Sequence, residues 1–248
     1  MQAVMILEMK KNVQDRGLLF WSIGLPILFT VLFIAIFTSG VEGNEQKEVI
    51  TSIVPGYIVM FVFFIIITMV DRLMKDLDIG MTARLASTPL RQTAYLFGKW
   101  LPYMIVVFAQ IFVLFVFGKI VYNIPIEQPF QLLCLAIALT FTVTGIGLAI
   151  ALIVKTFNMG LAITQILALG GAVLSGLWVP IEFMPHFIQV ISKVFPQYWA
   201  HQAMQDAMLG ALNTTDLLIS TAILIGFGVL GFCLAWARYP NFLKRAKS

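Results

Sequence analysis

Six long apolar stretches, separated by short charged segments, set the pattern of the whole chain. At 1.5 Å per residue, a helix of about 20 apolar residues crosses the roughly 30 Å of hydrocarbon in a bilayer. Each stretch approaches or exceeds that length, and Lys119 is the one charged residue that falls inside them. The pattern predicts an all-α integral membrane protein with a single transmembrane domain over residues 1–248, whose six spans lie at about 18–38, 53–70, 100–122, 130–154, 159–181 and 217–237.

Lys and Arg side chains are distributed very unequally between the two sides of this predicted map. The segments 1–17, 71–99, 155–158 and 238–248 hold all but three of the 16, and the opposite loops hold Lys47, Lys119 and Lys193. Because basic loops stay in the cytoplasm, we predict a multi-pass protein of the cell (inner) membrane with both termini cytoplasmic. The first apolar stretch is too long for a cleaved signal peptide and is expected to remain as a span.

Composition narrows the function classes further. Hydrophobic residues make up 60% of the chain and charged residues 11%, whereas soluble domains carry about a quarter charged residues. This argues against a disordered chain, a nucleic-acid partner and an ordinary soluble enzyme. Cys134 and Cys233 both lie in apolar stretches and are predicted to be buried thiols rather than a disulfide or a metal pair.

The first 17 residues are too charged to span a membrane. Ala3, Ile6 and Val13 share one helical face, and Glu8 and Asn12 share another. The spacing predicts an amphipathic helix that lies on the inner leaflet. The alternative is a charged flank that serves only to orient the first span.

The longest predicted cytoplasmic loop, residues 71–99, is called the coupling segment below. Leu73, Leu77, Met81 and Leu85 recur every four residues and predict an apolar helical ridge among charges. A ridge of this kind suits a surface that binds a partner protein, and we expect polar residues at its rim. The alternative is a solvated loop held to the bundle. The rim is predicted from Asp76, Asp78 and Arg84, and the ridge ends at Thr88 and Pro89.

The loop between the last two spans, residues 182–212, is called the outer hairpin. The pattern predicts two amphipathic helices, Phe183–Phe195 and Tyr198–Leu212, each too short to span. The polar face of the second contains His201, Gln202 and Gln205. A hairpin of this kind suits a re-entrant or interfacial element that caps the exit of a path. The alternative is an external element that has no role in gating. The predicted gate residues are Pro180, Phe183, Met184, Pro185, Phe187, Ile191, Phe195 and Pro196.

No recognisable catalytic motif is present in the sequence. It contains no P-loop, HExxH or GxSxG pattern, so we predict no catalytic residue and no metal site in this chain. The predicted spans hold no Asp, Glu or His, which argues against an ion-coupled carrier. Their uncharged polar residues include Gln110, Thr144 and Gln165, which either pack against neighbouring helices or line a substrate path.

Two motifs give the chain a resemblance to a known family. The first runs Asp-Ile-Gly-Met-Thr-Ala-Arg-Leu-Ala-Ser-Thr-Pro-Leu over residues 78–90 and is followed by Gly98 and Lys99. The second is Pro-Ile-Glu-Phe-Met-Pro over residues 180–185, with Phe195 and Pro196 beyond it. With six spans and an amphipathic N-terminal helix, these motifs resemble the permease subunit of ABC-2 type ABC transporters, although Met81 stands where that family usually has Thr.

The resemblance implies a division of labour between chains. The permease would form the path for an exported amphipathic compound such as a drug, antibiotic, lipid or lipopeptide. It would have no cofactor of its own, and two copies of a separate ABC ATPase would bind ATP and Mg and dock on the coupling segment. A second permease copy, identical or a close paralogue, would complete the assembly.

Two other classes of function stay open at this point. A membrane scaffold or signalling protein could bind a cytoplasmic regulator through the coupling segment. A membrane enzyme would need convergent acids, histidines or a nucleophile inside the spans, and the sequence shows none.

Overall fold

A computed structural model describes residues 2–40, 43–88 and 91–247, and these form helices joined by turns, with no strand among them. π-helical turns at Phe20–Gly24 and Ile166–Gly170 join consecutive helices, and Ile181–Phe183 forms a 3-10 turn. The α-helices are α1 Gln2–Gln14, α2 Arg16–Leu19, α3 Leu25–Phe37, α4 Asn44–Phe63, α5 Ile65–Asp78, α6 Met81–Ala86, α7 Gln92–Tyr122, α8 Pro129–Ile153, α9 Phe157–Gln165, α10 Gly171–Leu174, α11 His186–Ser192, α12 Pro196–Leu209 and α13 Thr214–Lys247.

Six helical segments of the described chain are long and apolar enough to cross a membrane, which confirms the predicted all-α class and the number of spans. Three of them extend beyond the apolar stretches because the helix continues into charged flanks, at the end of the second span, the start of the third and the end of the sixth. The six are Arg16–Phe37, Val49–Asp78, Gln92–Tyr122, Pro129–Ile153, Phe157–Leu174 and Thr214–Arg245.

The second span, formed by α4 and α5, is the most buried of the six and lies at the centre of the bundle. Val59, Phe63, Ile66 and Val70 are all fully buried along it. Gly56 lets this span approach the end of the fifth one, because a Cβ there would lie only 2.3 Å from the backbone oxygen of Leu177.

The fourth and sixth spans, α8 and α13, cross at small residues. A Cβ added at Gly145 would lie 2.5 Å from the backbone oxygen of Gly228, and one at Gly231 would lie 2.5 Å from the backbone carbon of Gly145. Only glycine permits backbones to approach this closely. This close crossing holds α13 against the core near the middle of its length.

The N-terminal segment is helical as predicted, but its polar face points into the protein. Glu8 and Asn12 are buried, whereas Ile6 and Val13 are exposed. The orientation follows from charged partners in α5 and α7, which are described below. Its position on the inner leaflet stays a prediction.

The outer hairpin contains two helices, α11 and α12, and the first is shorter than expected. Pro185 directly precedes α11, and the 3-10 turn Ile181–Phe183 replaces the start of the predicted helix. Phe195 precedes α12, which starts at Pro196 and ends at Gly210, whose φ of 77° favours glycine. Re-entry of the hairpin into the membrane stays a prediction.

Candidate functional site: a coupling segment held by buried charges

The coupling segment leaves the bundle at the end of the second span. Helix α5 ends at Asp78, and Gly80 takes the left-handed conformation with φ 67° before α6 begins. A side chain is strained at this φ, so glycine lets the chain reverse within two residues. The short α6 contacts both α5 and α13.

The predicted apolar ridge points towards the bundle rather than away from it. Leu73 is 1% exposed and belongs to the core, and Leu77 and Leu85 are half-buried against that core. Met81 is also half-buried, with its sulfur 3.8 Å from Lys11 Nζ. The four-residue periodicity thus reports packing against the protein's own helices, and the expectation that Leu73 faces a partner is wrong for this chain.

The exposed side of the segment consists of different residues. Ile79 is 64% exposed although it is apolar, and Arg84 of α6 is exposed as well. Pro89, predicted to end the ridge, lies outside the described residues. The exposed set is called the coupling tip and comprises Asp78, Ile79, Arg84, Ser87 and Thr88.

Behind the tip lies a cluster of four charges, three of them buried and one half-buried, which we call the four-charge cluster. It brings together Glu8 and Lys11 of α1, Asp76 of α5 and Lys99 of α7. Lys99 Nζ donates to Glu8 Oε1 at 2.7 Å and to Asp76, while Lys11 Nζ donates to Asp76 at 3.0 Å and Glu8 at 3.3 Å. Three elements that are distant in sequence are therefore joined at one point.

The burial of this cluster makes its charge balance energetically important. Glu8, Asp76 and Lys99 are 0%, 3% and 1% exposed. Two ammonium groups balance two carboxylates, so removal of any one leaves an uncompensated buried charge. Such a loss costs roughly 3–5 kcal/mol. Burial by itself lowers the pKa of Lys11, but hydrogen bonds and charge interactions with Asp76 and Glu8 outweigh it, so that pKa is raised.

Sequence reasoning placed Asp76 at a polar rim and did not connect it with α1. The structure corrects this placement, because Asp76 is buried and paired with two lysines. A local signal was present in Lys99, a lysine at the start of an apolar span that would otherwise be costly to bury. Its partners lie 23 and 91 residues away, beyond the reach of any pattern along one helix.

A second link holds the same region. Arg72 of α5 forms an ion pair with Asp15, which also caps the first span by accepting a hydrogen bond from Leu18 N at 3.1 Å. The neighbouring Lys75–Asp71 pair, at 2.6 Å, is exposed and connects only residues of α5. The first three spans are thus joined near the coupling tip by charges of both signs.

The polar residues proposed for the path differ in position. Thr144 is buried and accepts a hydrogen bond from Trp100 Nε1 at 2.9 Å while donating to the Thr140 oxygen at 2.7 Å, which gives it a packing role. Gln110 is buried inside the bundle, and Gln165 is exposed beside the π-helical turn of the fifth span. The structure does not bring the three together at one contact.

The predicted gate residues divide into an exposed and a buried group. Phe183, at 81% exposure, and Phe187 project from the chain, as does Ile191, whereas Pro196 is buried at the start of α12. The exposed members also include Pro180 and Pro185, and the half-buried ones are Met184 and Phe195. Large apolar side chains that remain exposed at one end of a membrane protein need lipid or protein to cover them.

His201, expected on the polar face of the second hairpin helix, is buried against the second span. Its Nε2 donates to the Ser52 backbone oxygen at 3.3 Å, and the ring is 2% exposed. Burial lowers its pKa to about 4. A neutral imidazole therefore attaches the outer hairpin to the same span that carries the coupling tip at its other end.

These features define a multi-pass helical membrane protein with a charged segment between its second and third spans. The sequence profile of the ABC-2 type transporter family matches residues 1–209, and the chain belongs to that family. The family is one of transporters.

Relatives of known designation are consistent with this assignment. The chain is 26% identical over 242 residues to the putative transport permease YvfS of Bacillus subtilis (strain 168), covering 93% of this chain and 94% of that protein. It is 25% identical over 191 residues to the linearmycin resistance permease protein LnrN of the same organism, covering 77% of this chain and 49% of LnrN. A match to ABC transporter G family member 20 of Dictyostelium discoideum is 26% identical over 200 residues, which is 79% of this chain but 27% of that protein.

Proposed function

We propose that this chain is the permease subunit of an ATP-driven exporter and that a separate ABC ATPase docks on its coupling tip. The observation that carries the proposal is the tip itself, an exposed apolar Ile79 flanked by charged residues at the end of the central buried span. Nothing in the described bundle covers this residue. A partner protein on the membrane surface would bury it and reach the core through α5.

The four-charge cluster gives the tip the stiffness that coupling requires. A docked ATPase can move the bundle only if the segment it pushes is fixed to the spans. Glu8, Asp76 and Lys99 join α1, α5 and α7 directly behind the tip. A displacement of the tip would therefore move three elements together rather than bend a loop.

The cargo we propose is an amphipathic compound such as a drug, an antibiotic, a lipid or a lipopeptide. The name of LnrN assigns that relative to linearmycin resistance, which favours a resistance-type exporter. The apolar spans suit the apolar part of such a substrate, and the uncharged amide of Gln110 suits its polar part. Two permease copies and two ATPases would form the assembly, with the termini and the tip in the cytoplasm.

The outer hairpin would cap the opposite end of the path. Leaving the Phe183 and Phe187 side chains in water costs roughly 1.5–3 kcal/mol each, so burial in the outer leaflet or against a second copy is favoured. His201 attaches this cap to the second span. Movement of the second span on ATP binding would then displace both the coupling tip and the outer hairpin.

Co-purification tests the docking. Tagged chain is purified in mild detergent from cells that express it at native level, and its partners are identified by mass spectrometry. We expect a P-loop ATPase in equimolar amount with the wild type and a loss of at least tenfold with Ile79→Asp, because the variant places an unpaired charge in the contact.

The matched control is Leu209→Asp, which introduces the same charge at an exposed leucine of α12 far from the tip. It should retain the ATPase fully. An ATPase that co-purifies equally with Ile79→Asp would contradict docking at the tip, and the absence of any P-loop protein would contradict the proposed function.

A further inference from the structure

An apolar groove lies between the third and fourth spans, α7 and α8, on their lipid-facing side. Its volume is about 370 Å³, which lies near the lower end of the roughly 300–1,000 Å³ usual for small-ligand pockets. Phe108, Phe112 and Phe115 line one wall, and Leu132 and Leu133 line the other. Phe112 and Leu133 are exposed in the described chain, so the groove opens towards the bilayer.

The groove has the depth of one leaflet. Its lining along α7 runs from Phe108 to Ile120, which at 1.5 Å per residue is about 18 Å. Half of a hydrocarbon core is roughly 15 Å thick. The groove therefore begins near the middle of the bilayer and ends at the surface, as an acyl chain of one leaflet does.

A single cation stands at the surface end of the groove. Lys119 is exposed in the last turn of α7, and its Nζ donates to the Ile124 backbone oxygen at 3.0 Å. Among the described residues no carboxylate lies within ion-pair distance of it, which leaves its positive charge uncompensated. Lys119 is also the one charged residue that interrupts the six apolar stretches of the sequence.

From this combination we propose that the α7–α8 groove binds an anionic phospholipid of the leaflet on the Lys119 side. One acyl chain lies against the phenylalanine wall, and the headgroup phosphate accepts a hydrogen bond from Lys119. The apolar part gives affinity for any phospholipid, and Lys119 gives the preference for a negative headgroup. Lipid binding at this site does not depend on ATPase docking.

Native mass spectrometry of the purified full chain tests the site with two probes, phosphatidylglycerol and phosphatidylcholine of identical chains. We expect wild-type protein to retain phosphatidylglycerol roughly fivefold better than phosphatidylcholine, the effect of about one interfacial cation. Lys119→Gln should lower this preference towards unity, and Lys119→Arg should keep it.

Lys193→Gln serves as the matched control, since Lys193 is an exposed lysine outside the groove. It should retain the wild-type preference. Leu133→Trp narrows the groove and should reduce the retention of both lipids while leaving the protein monodisperse.

Three results would overturn the proposal. These are equal retention of the two lipids by the wild type, an unchanged preference in Lys119→Gln, and retention of both lipids by Leu133→Trp at the wild-type level. Protection of the groove by a second copy of the chain, seen as a dimer that binds no lipid there, would also overturn it.

Discussion

Removal of the Lys99 charge is the perturbation that most directly tests the four-charge cluster. Lys99→Met preserves the length of the side chain and removes its ammonium group. Glu8 and Asp76 then share only Lys11, so one buried negative charge has no partner. A buried pair broken in this way destabilises a protein by roughly 3–5 kcal/mol.

The size of the effect can be converted to a melting temperature. For chains of 150–250 residues, 1 kcal/mol corresponds to about 2–4 °C, so the expected loss is roughly 6–20 °C. The assay is the thermal loss of the monodisperse chromatographic peak of the purified chain in detergent. The height of the same peak before heating shows whether the variant is inserted into the membrane and folded.

A charge-balanced double variant separates charge balance from packing. Lys99→Met combined with Asp76→Asn leaves Glu8 paired with Lys11, so no buried charge is uncompensated. Because the two sites are in contact, their effects should not add. We expect the double variant to be more stable than Lys99→Met alone.

The control is an exposed lysine next to Asp76 in the sequence. Lys75→Met removes a lysine that is 63% exposed in its side chain and pairs with Asp71. An exposed pair contributes about 0–1 kcal/mol. If Lys99→Met and Lys75→Met shift the melting temperature equally, or if the double variant is the less stable one, the cluster does not depend on charge balance and the reasoning is refuted.

Three further predictions concern pH, the gate and the topology. The lowered pKa of His201, about 4 against an unfolded value near 6.5, means that its contribution to stability is full above pH 6.5 and is lost as pH falls towards 4. That loss amounts to roughly 3 kcal/mol, and thermal melting as a function of pH should show it in the wild type but not in His201→Gln. Phe187→Arg combined with Ile191→Arg should lower export of the substrate several-fold with ATPase co-purification unchanged; normal export would leave the hairpin without a gating role. In a background without the two native cysteines, Asn213→Cys should react with an impermeant thiol reagent in intact cells and Ser87→Cys should not, and the reverse pattern would invert the proposed topology.

The spans could be predicted from sequence because hydrophobicity along a helix is a local property. Any stretch of about 20 apolar residues must be helical in a bilayer, whatever its neighbours are. The start of the first hairpin helix was placed too early, at Phe183, although Pro185 acts on its own segment and the helix begins only after it. The helix ends were harder to predict, because charged residues at the flanks continue a helix wherever other side chains pair with them.

The site was predicted only in outline because its central contacts are not local. Lys99 meets Glu8 across 91 residues, and no periodicity along either helix reports that pairing. The ridge of Leu73 and Leu77 illustrates the opposite difficulty. Its spacing is helical, but spacing alone does not distinguish a surface for a partner from a surface for the protein's own core.

His201 follows the same rule. Its neighbours Gln202 and Gln205 suggested a polar face, yet the ring packs on Ser52 of a span nearly 150 residues earlier in the chain. The contact depends on how the outer hairpin folds back over the bundle. Tertiary packing decided the environment of this residue, and helical periodicity did not.

Cross-linking at the coupling tip tests most directly whether an ABC ATPase docks there. A photo-reactive amino acid replaces Ile79, and a matched variant carries it at Leu209, which is equally apolar and exposed at a distant helix. We predict that irradiation of intact cells joins position 79 to a protein with an ATP-binding P-loop and that position 209 gives no such product. A P-loop protein joined equally at both positions, or no P-loop protein at position 79, would contradict the claim that the tip couples this permease to its ATPase.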